Sequence, residues 1–246
     1  MDNDSIQIHL SSKNGTFNNS LLNYVTFNLP IIEVPSEYQL YLSIEHAVIP
    51  YSFYNIDNNN NYLKIITDNE TINLYITPGN YNVYNLMDYL NSNLINFVIT
   101  YNSITNKYTF TNTLYSFCFS SLSISLSLLW FKLNSNNNTS VNKFLINPYF
   151  VNLCSKQCIC ISSDFSSGSI NNTLGNNYTI IASLPVITAP NSLLIYSNLS
   201  KFKFNLYSNL LNKIRIILKD QNGNNIDMNG TYFSLTIEIS SIQFVE

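Results

Sequence analysis

A chain of 246 residues, 46% of them hydrophobic, is long enough to bury the core of one large domain and too apolar to be disordered throughout. Only 10% of the residues are charged, against roughly 25% in ordinary soluble domains; asparagine, at roughly one position in six, takes their place together with Ser, Thr and Tyr. The net charge of −3 excludes the basic footprint of a nucleic-acid-binding protein, and the scarcity of charge suits a surface packed against neighbours, because charged groups are costly to desolvate.

The first residues, Met1-Asp2-Asn3-Asp4, lack the basic and apolar regions of a secretory leader, so a reducing compartment is expected. Ile6, Ile8 and Leu10 then alternate with Gln7, His9 and Ser11, which predicts a half-buried strand with His9 on its polar face. Val25, Phe27 and Leu29 form a second strand. A third runs from Leu40 through Leu42, Ile44, His46 and Val48, with Tyr41, Ser43 and Glu45 opposite. That phase predicts a hydrogen-bonded histidine in the core or at a strand end for His46.

Ile72, Leu74 and Ile76 continue the alternation up to a Pro78-Gly79-Asn80 turn. The period then changes. Leu86, Leu90 and Leu94 recur every four residues, with Met87 and Phe97 flanking, which predicts one amphipathic helix over about 83–96 with Asn82 as its N-cap. Asn102 to Lys107 reads as a hairpin loop. Tyr115 to Phe131 carries no charge, but its Ser121 to Leu128 portion alternates strictly, so a strand is expected there and no membrane span. The stretch 134–175 is less regular and is expected to be an insertion or long excursion of a single domain spanning 1–246. Ile214, Ile216 and Leu218 form a late strand, and Phe233, Leu235, Ile237 and Ile239 the last. Asn222-Gly223-Asn224 and Asn229-Gly230 mark turns before it. The fold class is therefore all-β, a sandwich or barrel with one short helical crossover.

Chemistry is scarce. Cys154, Cys158 and Cys160 form C-x3-C-x-C, a spacing that fits no common zinc knuckle, and Cys118 stands alone. Structural thiols are expected. Neither His9 nor His46 carries a local signature linking it to a nucleophile. Glu33 and Glu37 sit among prolines. Asp220 and Asp227 fall in turn-like segments, and the first of these resembles part of a calcium loop without its bidentate Glu. Lys201, Lys203, Lys213, Arg215 and Lys219 read as a solvated strand face. The sequence thus predicts no catalytic, cofactor-binding or metal-binding residue and no enzyme.

Three stretches, in this order, resemble the penton-type and minor capsid proteins of virophages, Polinton-like viruses and giant viruses of protists. They are Ser43 to Ile56, with its Val48-Ile49-Pro50-Tyr51; Ile76-Thr77-Pro78-Gly79-Asn80-Tyr81 running into the helix; and Ile214 to Asp220 continuing through Gly223 and Gly230 to Ile237. The resemblance implies a single jelly roll in a structural virion protein of a double-stranded DNA virus. It implies homopentamers at icosahedral fivefold vertices, with the major capsid protein and minor capsid proteins as partners, assembled in the host cytoplasm. Two other roles fit the same strands: a minor capsid or cement protein bridging major capsomers, and a carbohydrate-binding β-sandwich whose tyrosines stack on sugars.

Overall fold

The computed structural model describes residues 5–123, 139–163, 179–206 and 208–243. In chain order the strands are β1 (Ser5–Ser11), β2 (Thr16–Phe17), β3 (Tyr24–Glu33), β4 (Tyr38–Pro50), β5 (Tyr62–Thr67) and β6 (Thr71–Tyr75). Helix α1 (Val83–Asn93) follows, then β7 (Phe97–Asn102), β8 (Lys107–Asn112), β9 (Phe117–Phe119) and β10 (Phe144–Ile146). The remainder is β11 (Cys158–Ser163), β12 (Thr179–Pro185), β13 (Leu193–Ser197), β14 (Phe204–Asn205), β15 (Leu210–Asp220) and β16 (Ser234–Gln243). The chain divides into two compact units, one from Met1–Phe53 with Lys156–Glu246 and one from Tyr54–Ser155.

The first unit holds two antiparallel sheets, ordered β1-β16-β4-β13 and β12-β11-β15-β3-β2, with β14 added beside β4. Lettering its long strands B to I in chain order gives B-I-D-G and C-H-E-F, the strand order of a jelly roll. The alternating residues supply the core between the sheets: Val25 and Phe27, Leu40, Leu42 and Ile44, Ile214, Ile216 and Leu218, and Leu235, Ile237 and Ile239 are all buried. Leu10 joins them from β1, whereas Ile6 is exposed at the sheet edge.

The alternation expected along β4 breaks at Glu45. Thr236 pairs with His46 but Ile237 pairs with Ile44, so Glu45 is an extra residue on β4, a β-bulge. The phase resets there, and Ala47 and Ile49 take the buried side at 0% exposure. His46 consequently points outward and is exposed, in contrast to the core position that unbroken alternation predicts.

The second unit has its own core. Sheets β6-β5-β9 and β10-β8-β7 enclose Leu63, Ile65, Phe97, Ile99, Tyr108, Phe110, Phe117 and Phe119. Edge-to-face contacts join Phe97 to Phe117 and Phe110 to Phe119, each at 5.0 Å between centroids. The helix forms as its leucine spacing predicts. Leu86 and Leu90 are buried, and the Asn82 side chain accepts from the N–H groups of Tyr84 and Asn85 at 3.0 and 2.9 Å. It ends at Asn93, a turn short of the expected 96, and Asn96 turns the chain with a φ of 65°. The Tyr108 hydroxyl donates to the Val83 carbonyl at 2.5 Å, tying β8 to the helix start, and burial pushes its pKa well above the usual tyrosine range. Of the stretch 134–175, residues 139–155 belong to the second unit and 156–163 run into β11 of the first. The rest of it, and the Ser121–Leu128 alternation beyond Ser123, lie outside the described residues.

Candidate functional site

The bulge at Glu45 has a consequence for the chain's two histidines. Strand register aligns His9 with Thr236, Thr236 with His46, and His46 with Ser197, so four polar side chains cross the outer face of one jelly-roll sheet in a single row. His9 Nδ1 lies 2.9 Å from Thr236 Oγ1, and His46 Nδ1 lies 3.2 Å from Ser197 Oγ. An open groove of about 320 Å³ covers three of the four, His9, Thr236 and His46, and is lined also by Leu10, Ser11, Asn14, Val48, Ser234 and Leu235. Period-two reading separates the two imidazoles onto opposite faces. The signal that could have joined them is local: Glu45-His46 places two polar residues in succession inside an otherwise alternating strand.

The other candidates lie elsewhere in the two units. Cys158 and Cys160 lie on the side of β11 opposite Ile159 and Ile161, which face the core, with their sulfurs 3.9 Å apart. Burial, reinforced by Cys158, pushes the Cys160 thiol up to about 11, which holds it protonated and poorly nucleophilic. Cys154 is exposed in the second unit, and Cys118 is half-buried there on β9. Among the described residues no three His, Cys, Asp or Glu side chains gather to hold a metal ion.

The carboxylates shape turns. Asp220 Oδ1 accepts from the N–H groups of Asn222 and Asn224, each at 2.8 Å, and Asp227 Oδ1 accepts from the N–H of Asn229 at 2.9 Å. Glu33 and Glu37 are exposed. The basic stretch divides. Lys213 and Arg215 are exposed, Lys203 pairs with Glu238 at 2.6 Å, and Lys219 is only 8% exposed, with its pKa lowered by burial. Lys219 therefore departs from the solvated face expected of it. From Ile216 to Asp220 the middle strand β15 is buried on both sides.

Each unit also presents exposed apolar side chains. On the jelly roll, Leu193 and Ile195 project from edge strand β13 at 52% and 71% exposure, and Ile187, Leu199 and Phe202 are exposed in adjoining segments. On the second unit, register aligns Val98, Thr111 and Phe144 in one row and Thr100, Thr109 and Ile146 in the next. Val98, Phe144 and Ile146 are exposed on that sheet face. Apolar side chains grouped on one sheet face mark surfaces of association.

No protein-family model matches the chain, and no curated protein matches it in sequence. Among solved structures its fold is similar to that of the selenomethionine-labelled mavirus penton protein, with a TM-score of 0.54 at 12% identity. The alignment covers 97% of this chain and 100% of the penton chain. The chain has a penton-like, all-β jelly-roll fold.

Proposed function

We propose that this chain is a structural, non-enzymatic capsid protein, and more specifically the penton subunit that forms pentamers at the fivefold vertices of a double-stranded DNA virus. The observation that carries this reading is the end-to-end likeness to the mavirus penton protein, which takes in nearly all of both chains. The charge content of 10% and the apolar faces on both units support it, since each favours burial against neighbouring subunits. Pentamer contacts are heterologous, one side of each subunit meeting the other side of the next until the ring closes. In this role the whole chain, 1–246, acts as one subunit of the virion, contacting copies of itself and the major capsid protein, and is assembled in the host cytoplasm. Native mass spectrometry of the purified protein tests it: five copies of the 28.1 kDa chain are expected. Monomers or trimers across the micromolar range would instead favour a minor capsid protein that bridges major capsomers.

A further inference from the structure

We propose that the groove over the row His9, Thr236, His46 is a binding site for an oxyanion, either a carboxylate or a tetrahedral anion such as phosphate. The proposal stands apart from the capsid reading and would survive its failure.

The argument starts from strand spacing. His9 and His46 sit on strands either side of β16, in register with the same Thr236. Neighbouring strands lie about 4.8 Å apart, which places the two backbones roughly 10 Å apart. His9 leans over Thr236 and His46 leans toward Ser197, so both imidazoles line the groove that stays open above the threonine.

The rings are also held in a way that suits donation. Each Nδ1 is engaged by a neighbouring hydroxyl, Thr236 for His9 and Ser197 for His46. When the hydroxyl donates to Nδ1, the ring proton resides on Nε2, and in the imidazolium form Nε2 carries a proton as well. Neither Nε2 makes a hydrogen bond among the described residues. The remaining polar side chains lining the groove are Ser11, Asn14 and Ser234, all able to donate, and among the described residues no carboxylate lines it.

Among the described residues, two acids of these strands are already engaged. Glu238, in the next row, takes the Lys203 ammonium at 2.6 Å, and Glu45 accepts from the Ser43 hydroxyl at 2.6 Å and the Asn198 amide at 3.3 Å. Donors without an opposing carboxylate select an anion over a metal ion, which favours at least one anionic ligand beside two imidazoles.

Carbethoxylation of the imidazoles, read site by site by mass spectrometry on the full-length protein, tests this. Sodium phosphate or sodium acetate at tens of millimolar is compared with sodium chloride at equal ionic strength and pH. Both His9 and His46 are expected to be protected together, at least threefold, and His46→Gln is expected to abolish protection of His9. Protection by acetate as well as phosphate points to an acidic side chain of a neighbouring protein as the natural occupant; protection by phosphate alone points to a free anion. Protection of neither histidine, of one only, or by zinc ions and not by oxyanions overturns the proposal.

Discussion

Asparagine does much of the local work in this chain. Asn91 of α1 accepts from the Ile99 N–H at 2.8 Å and donates to the Ile99 carbonyl at 2.9 Å, so its amide pairs with edge strand β7 as another strand would. Asn112 accepts from the N–H groups of Leu114 and Tyr115, Asn198 from that of Phe202, and buried Asn23 donates to the Leu218 carbonyl. Each satisfies backbone groups that a loop or sheet edge leaves unpaired. The abundance of asparagine thus reflects the loops as well as a weakly charged exterior, a division that composition alone does not reveal. Asn91→Ala is expected to destabilise the second unit by about 1–3 kcal/mol, since it leaves two groups of an edge strand unsatisfied; urea denaturation followed by tyrosine fluorescence measures it. Cys160 gives a second test. Its thiol, raised from 9.0 to about 11, should be the last alkylated at pH 8, and exposed Cys154 the first, as read by mass spectrometry. Because the folded pKa lies above the ordinary value, this group's contribution to stability is intact below pH 9 and is lost as pH rises towards 11.

At the scale of elements, local signals were legible and register was not. The helix announced itself through Asn82 and the leucines at 86, 90 and 94, all within a few turns of chain. The Asn102–Lys107 hairpin did the same, and Asn102 accepts from the N–H groups of Ile104 and Thr105 within it. The bulge at Glu45 leaves only a faint local trace, the successive polar residues Glu45 and His46; its register is set against β16, nearly two hundred residues away, and with it went the placement of His46. Deleting Glu45 would remove the bulge and leave the pairs Thr236–His46 and Ile237–Ile44 consecutive on both strands, so Ala47 and Ile49 stay buried and His46 stays outward. Cooperative thermal unfolding is therefore expected to survive the deletion, with a Tm lowered by the loss of the Glu45 contacts to Ser43 and Asn198. Loss of the cooperative transition in the deletion variant would show that the strand needs the extra residue to hold its register.

At the scale of the molecule, an all-β sandwich or barrel could be anticipated because most of its long strands alternate, and the jelly roll only through the resemblance to penton-type capsid proteins. The second unit could not, since no change of composition marks Tyr54 or Ser155, and its core is recognisable only once Leu63, Phe110 and Phe119 are seen to pack together. The groove between the histidines belongs to the same class of feature, being made by strands from opposite ends of the chain. The penton reading concerns the whole molecule and is tested most directly where such a subunit works. A cryo-electron microscopy map of the virion that carries this chain should show five copies of it around each fivefold vertex. Density for the chain elsewhere in the shell, with another protein at the vertex, would contradict the account.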